Sequence, residues 1–180
     1  MTDQPSAAGD DRDLPEVVYR VVDSPIGELF VAATPVGVVR VAYECEDRDA
    51  VLAELAAKIS PRIVEDPRRL DAVARELDEY FAGRRREFII PLDYSLTSGF
   101  RETVQRYLTQ IGYGQTRTYK RIAEYLGNPG AVRAVGSACA TNPLPPMVPC
   151  HRVLRTDGGL GGYRGGLEAK IMLLDMEGGA

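Results

Sequence analysis

The segment from Asn142 to Pro149 holds four prolines, and Cys150-His151 follows it directly. Proline fixes φ and has no N–H, so such a run excludes a helix interior or a central strand. The residue before each proline is pushed toward extended backbone as well. Asn142 to Pro149 therefore reads as an extended loop, and whatever Cys150 does is done from the end of it. A thiol is a useful nucleophile only as thiolate, and with a free pKa of about 8.5 it needs a base or a positive field nearby. His151 is the sole histidine in 180 residues, and imidazole is the side chain whose ordinary pKa suits that task. Adjacency by itself does not pair the two, because neighbours on a strand point to opposite faces.

The chain is long enough for a substantial core, as one domain or two small ones. Its composition, 44% hydrophobic and 27% charged, is that of a globular protein. No apolar run approaches a membrane span, and no signal-peptide pattern opens the chain, which points to a cytoplasmic protein with no membrane partner. The three cysteines, at 45, 139 and 150, are widely spaced and odd in number. They read as reduced thiols, and with one histidine they match no zinc pattern. The formal charge is uneven: residues 1–100 carry −8 and residues 101–180 carry +4. A basic half in an acidic chain is a weak sign of polyanion binding.

Residues 1–15 are polar and acidic and read as a disordered tail. From Val17 to Tyr43, short apolar runs broken at Ser24-Pro25-Ile26-Gly27 and Pro35-Val36-Gly37 read as an antiparallel meander. Helical periodicity follows over Asp49–Ile59 and Arg69–Phe81, and Glu87–Leu92 is a strand or an extended connector. Ser98 is placed to cap a helix running to Ile111, and Thr118 a short helix ending at Gly127. Asn128-Pro129 signals another helix start, with Ala131, Ala134, Val135 and Ala138 inward to Cys139. A glycine-rich loop over 158–166 precedes a last helix over Leu167–Glu177. The fold class is α+β. An N-terminal domain with an antiparallel sheet and helices spans 16–92, and a mostly helical domain carrying the chemistry spans 93–180.

Helix, short glycine turn and helix over 118–139 form a helix-turn-helix pattern. Gly136, Ser137 and Ala140 keep the outer side of its second helix small, and Arg133 is that helix's single charge. The sequence resembles the O6-alkylguanine-DNA alkyltransferases, also called methylated-DNA–protein-cysteine methyltransferases. The resemblance is carried by Thr118-Tyr119 with Ile122-Ala123, Arg133-Ala134-Val135-Gly136, Asn142-Pro143 and Val148-Pro149-Cys150-His151-Arg152-Val153. It continues through Gly162-Tyr163, Gly166, Lys170 and Leu173-Leu174 to Glu177, with Ser24-Pro25-Ile26-Gly27 and Tyr80-Phe81-Ala82-Gly83 upstream.

The resemblance implies irreversible, stoichiometric transfer of an alkyl group from O6-alkylguanine in double-stranded DNA to Cys150. It implies that His151 takes the thiol proton through a water, that Glu177 orients and charges the imidazole, and that Asn142 braces the turn. Tyr119 would bond guanine N3 and supply a proton as the bond breaks. The base must leave the stack, and Arg133 would fill the space it vacates. Thr118, Ala134, Gly136 and Ser137 would meet the minor groove, whose degenerate pattern suits scanning of any sequence. The pocket would be built from Val153, Tyr163, Arg164 and Met147. The implied protein is a monomer that needs no cofactor or metal, with cooperative binding along DNA left open. The zinc site of some relatives lacks its histidine here. Cys45, among Glu44, Glu46 and Asp47, reads as a blunted thiol, and Cys139 as a structural one. Departures from the family pattern are Gln105 where tryptophan is usual, Gly112 in place of proline, and Arg164 in place of a small residue. Two rival readings remain: an alkyltransferase-like module that binds the lesion without transfer, which would lack the cysteine, and a thiol hydrolase that turns over.

Overall fold

The computed structural model describes residues 16–178; the tail expected over 1–15 lies outside the described residues. The meander forms as β1 (Val17–Val22), β2 (Leu29–Ala33) and β3 (Val38–Tyr43), antiparallel in succession. Gly27, at φ 95°, turns the first hairpin, with its N–H bonded to Ser24 O at 3.1 Å. Every residue of β2 is buried because both faces of the sheet are covered. Helix α1 (Arg48–Lys58), capped by the Asp47 carboxylate, packs Val51 and Leu55 on Val17, Phe30, Ala32, Val39 and Ala42. Helix α2 (Asp71–Phe81) and the C-terminal half cover Val18, Val22, Leu29, Val31, Val41 and Tyr43. Each fully buried Leu or Val contributes about 1.5–3 kcal/mol. A bulge in β3 opposite Ala32/Ala33 shifts its phase, so Val38, Val41 and Tyr43 share one face.

A short strand the sequence does not announce, β4 (Ile63–Glu65), runs parallel to β1, giving the order β3-β2-β1-β4. Three residues are too few for a period-two signal. The 87–92 segment is a connector that touches the sheet in one bridge, Val38 to Leu92. It leads into α3 (Gly99–Leu108), which ends three residues before Ile111, and Ser98 caps it by backbone conformation without a side-chain bond.

After β5 (Arg117–Thr118), Thr118 Oγ1 accepts from Arg121 N at 3.2 Å and opens α4 (Tyr119–Tyr125). Gly127 (φ 73°) closes it, with Asn128 N on Ala123 O at 2.9 Å. The Asn128-Pro129 pair is spent in that turn, so the next helix, α5, starts later than expected, at Val132, and runs to Ala140. It packs on α3 and α4 through Val135 and Ala138. Ala134, expected inward, is exposed, because the buried ridge lies on its neighbours. The proline segment is not extended either. It folds into a buried turn, with Val148 N on Leu144 O at 2.8 Å. The next strand, β6 (Val153–Leu154), pairs in parallel with β5. Helix α6 (Leu167–Gly178) buries a stripe of Ala169, Lys170, Leu173 and Glu177. One apolar cluster runs unbroken from the sheet through α3, α5 and the proline turn.

Candidate active site

Cys150 opens a single 3₁₀ turn, Cys150–Arg152, at the exit of the proline segment. Its N–H bonds Val148 O at 2.9 Å, and Arg152 N bonds Pro149 O at 3.0 Å. Asn142 ties the turn from within. Its Nδ2 donates to Val148 O at 2.8 Å and to Cys150 Sγ at 3.2 Å, and its Oδ1 accepts from Leu144 N at 3.0 Å. Burial pushes the Cys150 thiol up; the Asn142 bond and the Lys170 charge oppose it but do not win. At rest Cys150 is a thiol, so a base is required.

His151 is fully buried, with Nε2 2.9 Å from Glu177 Oε1. Burial drives the imidazole below the ordinary histidine range, despite the carboxylate beside it. It is therefore neutral at rest. The tautomer follows from Glu177. Burial favours its protonated form, but bonds from His151, Arg152 and Tyr80 outweigh that and hold the carboxyl well below the usual range. An ionised carboxylate only accepts, so Nε2 carries the proton and Nδ1 carries a lone pair. Nδ1 is buried and has no hydrogen-bond partner among the described residues.

Glu177 is shared more widely than the sequence suggested. Arg152 grips it with Nε on Oε2 and Nη2 on Oε1, both at 2.8 Å, and Tyr80 Oη donates to Oε1 at 2.6 Å. Arg152 also donates to Ile111 O. Arg152 and Tyr80 had carried the resemblance without being given roles. A cation directly after Cys-His and a tyrosine on the inward face of a helix were the available signals. Lys170, fully buried, binds the carbonyls of Val153 (2.8 Å) and Leu160. The carbonyl of Val153, a residue expected in the pocket, thus already has one donor.

A cavity of about 490 Å³ opens between α5 and the glycine loop, lined by Tyr119, Gly136, Ala140, Gly162, Tyr163 and Arg164, among others. The small residues of α5 make this room. Cys150 is not among the lining residues; Tyr119 and Tyr163, which are, pack against the same buried cluster as Cys150. Burial, followed by Cys139 and Cys150, pushes Tyr119 up to about 12. Its hydroxyl packs so closely on Gly161 that a Cβ there would lie 2.8 Å away. Arg164 also reaches toward Glu46, its Nη1 3.7 Å from Oε2. Met147 does not join this wall. The proline turn carries it to a separate cleft with Phe88, Leu92, Tyr94, Thr109 and Pro149. Arg133, Ala134 and Ser137 lie on the exposed face of α5, and Arg133 forms no ion pair among the described residues. Thr118 is half-buried at the α4 cap. Gln105, in place of the usual tryptophan, is fully buried and bridges α3 to α5 through Nε2 on Ala138 O at 3.0 Å. Among the described residues, no three His, Cys, Asp or Glu side chains cluster as a metal site, and no helix is long and apolar enough to cross a membrane.

Residues 17–94 match the sequence model for the 6-O-methylguanine DNA methyltransferase ribonuclease-like domain, and residues 99–179 that for its DNA binding domain. The inducible methylated-DNA–protein-cysteine methyltransferase of Bacillus subtilis is 42% identical over 151 residues, 83% of each chain. The methylated-DNA–protein-cysteine methyltransferase of Mycolicibacterium paratuberculosis is 42% identical over 167 residues, covering 89% of this chain and 92% of its own. Among solved structures, Mycobacterium tuberculosis OGT in complex with DNA superposes with a TM-score of 0.79 at 36% identity, over 90% of this chain and 93% of its own.

Proposed function

The chain belongs to the 6-O-methylguanine DNA methyltransferase family, and from that premise we propose that it repairs DNA by moving the alkyl group of O6-alkylguanine irreversibly onto Cys150. One observation carries this reading: the thiol braced by Asn142 is followed in sequence by a neutral, fully buried imidazole whose tautomer an ionised Glu177 fixes. A lesion-binding module without transfer needs none of this apparatus.

The thiol proton passes through a bridging water to the lone pair on His151 Nδ1, since no direct hydrogen bond joins Sγ to the ring. Glu177 stabilises the imidazolium that forms. The thiolate attacks the alkyl carbon, the C–S bond forms, and the C–O6 bond breaks with its electron pair leaving on guanine. Tyr119 donates a hydrogen bond to guanine N3 and yields its proton as negative charge develops there. Its raised pKa makes it a donor that stays protonated until then. Water returns a proton to the tyrosine, and His151 releases its own. The thioether has no second nucleophile to break it, so each protein reacts once. No step calls for a metal or an organic cofactor.

Double-stranded DNA is the partner. The basic C-terminal half presents α5 to the minor groove, with Thr118, Ala134, Gly136 and Ser137 at the contact. Arg133, exposed on α5 and without an ion pair among the described residues, fills the gap left by the everted base. The cavity beside Tyr119 and Tyr163 has the volume of a small-ligand site, about 300–1,000 Å³, and takes the purine. The two parts dividing near residue 93 act together as a cytoplasmic monomer.

Incubation with a duplex bearing O6-methylguanine tests the reading. One methyl group on the Cys150 peptide, saturating at one equivalent per protein, is the expected result. Product beyond one equivalent favours a hydrolase, and lesion binding with no mass gain favours the binding module.

A further inference from the structure

The glycine loop that walls the cavity has little to hold itself. Gly158, Gly159, Gly161, Gly162, Gly165 and Gly166 offer no side chains, and the loop's own bonds are few, such as Gly166 N on Tyr163 O at 3.0 Å. Lys170 holds Leu160 O, and Arg155 and Asp157 hold Gly158 and Gly159; the stretch from Tyr163 to Gly165 is braced from the N-terminal sheet. Tyr43, the last residue of β3 and 4% exposed, shares a hydroxyl–hydroxyl hydrogen bond with Tyr163. The two rings meet edge-on at 5.6 Å. The Tyr43 ring also abuts Gly165 so tightly that a Cβ there would lie 2.6 Å from Cε1. Glu46 adds to the clamp: its Oε2 faces Arg164 at 3.7 Å, while Arg40 Nη2 (2.5 Å) and Tyr43 N (3.0 Å) hold that carboxylate in place.

We propose that Tyr43 is a positioning residue for the alkylguanine pocket. By holding the Tyr163 hydroxyl and blocking the loop at Gly165, the N-terminal sheet sets where the far wall of the pocket stands. Tyr43 acts through Tyr163 and does not touch the reacting atoms. The inference rests on the pocket assignment above. It gives the N-terminal half a part in the reaction, where the sequence had assigned all the chemistry to residues 93–180. A loop of glycines left to itself samples many conformations, and small displacements of a positioning group are costly in rate.

Single-turnover transfer from an O6-methylguanine duplex and from free O6-benzylguanine tests the idea. Tyr43→Phe keeps the ring and leaves the Tyr163 hydroxyl without its partner. It is expected to slow transfer from both substrates on the order of tenfold, with affinity for undamaged duplex and iodoacetamide labelling of Cys150 unchanged. Tyr43→Phe/Tyr163→Phe should be no slower than Tyr163→Phe alone, since one bond is lost in both. A second pair reads shape. Gly165→Ala should slow transfer by striking the ring, and Gly165→Ala/Tyr43→Leu should be no slower than Tyr43→Leu alone, since the ring that the methyl would strike is gone. Unaltered rates in Tyr43→Phe, or additive losses in the Gly165 pair, would overturn the proposal. If the unaltered protein takes up no methyl group, the functional reading fails; if it does and Tyr43→Phe matches it, only this inference fails.

Discussion

Glu177→Gln removes one charge and almost no volume, yet it strikes four bonds at once. The carboxylate accepts from His151 Nε2, from Arg152 Nε and Nη2, and from Tyr80 Oη, all within 2.9 Å. An amide offers one oxygen in place of two and turns an N–H toward donors. Arg152, only 7% exposed, is left without its counter-charge. Breaking a buried pair costs about 3–5 kcal/mol, a large part of the roughly 5–15 kcal/mol that holds a domain folded. The same change frees the imidazole to take the other tautomer. A base in the wrong tautomer forfeits general-base catalysis, worth about 10²–10⁴-fold. Urea melts give the first number; single-turnover transfer from an O6-methylguanine duplex, measured cold where the variant is still folded, gives the second. The pH dependence supplies a third check. Glu177 is held below its ordinary value, so its stabilisation is complete above the usual carboxylate range and is lost as pH falls toward the depressed value. That acid-side decline should be shallower in Glu177→Gln. A stability loss under about 1 kcal/mol, within the range of exposed ion pairs, together with a rate within threefold of the parent, refutes the reasoning.

Arg133→Ala should weaken transfer in duplex DNA while sparing free O6-benzylguanine, since only the duplex requires a base to be everted; equal losses would rule out the finger. The transfer rate should stay level through neutral pH and fall only below the ordinary histidine range, because His151 titrates lower than usual and its charged form accepts no proton; a midpoint above about 6.5 in a rate profile would contradict this. Gln105→Leu should change stability by no more than about 1 kcal/mol in urea melts, because it gives up the bond to Ala138 O but also removes Oε1, buried with no partner among the described residues.

The dense block from Asn142 to Val153 made the centre of the site legible, because its constraints are local. The prolines excluded a helix, although the segment is a compact turn and not the extended loop expected; the resemblance put Asn142 at its brace, and a thiol and an imidazole follow. What stayed hidden depends on chain segments far apart. Tyr80 lies 97 residues from Glu177, and Tyr43 lies 120 from Tyr163; no period or spacing reports such meetings. The sheet was readable wherever strands were long enough to alternate, and β4, β5 and β6, at two or three residues, were not. The outward turn of Ala134 was missed because Asn128-Pro129 belongs to the αL turn after α4, which delays α5. Met147 was placed in the pocket by resemblance, and the compact proline turn carries it elsewhere.

The outer edge of β3 carries one further consequence. Its free N–H groups at Val38 and Val41 are taken by the carbonyls of Pro91 and Pro143, at 2.9 and 2.7 Å. Val38 O in turn accepts from Asp93 N at 2.7 Å, so these segments cover the edge and leave less of it as a template for another chain. The reactive segment thus doubles as a seal against aggregation. Each copy gains that protection as soon as its active loop is in place.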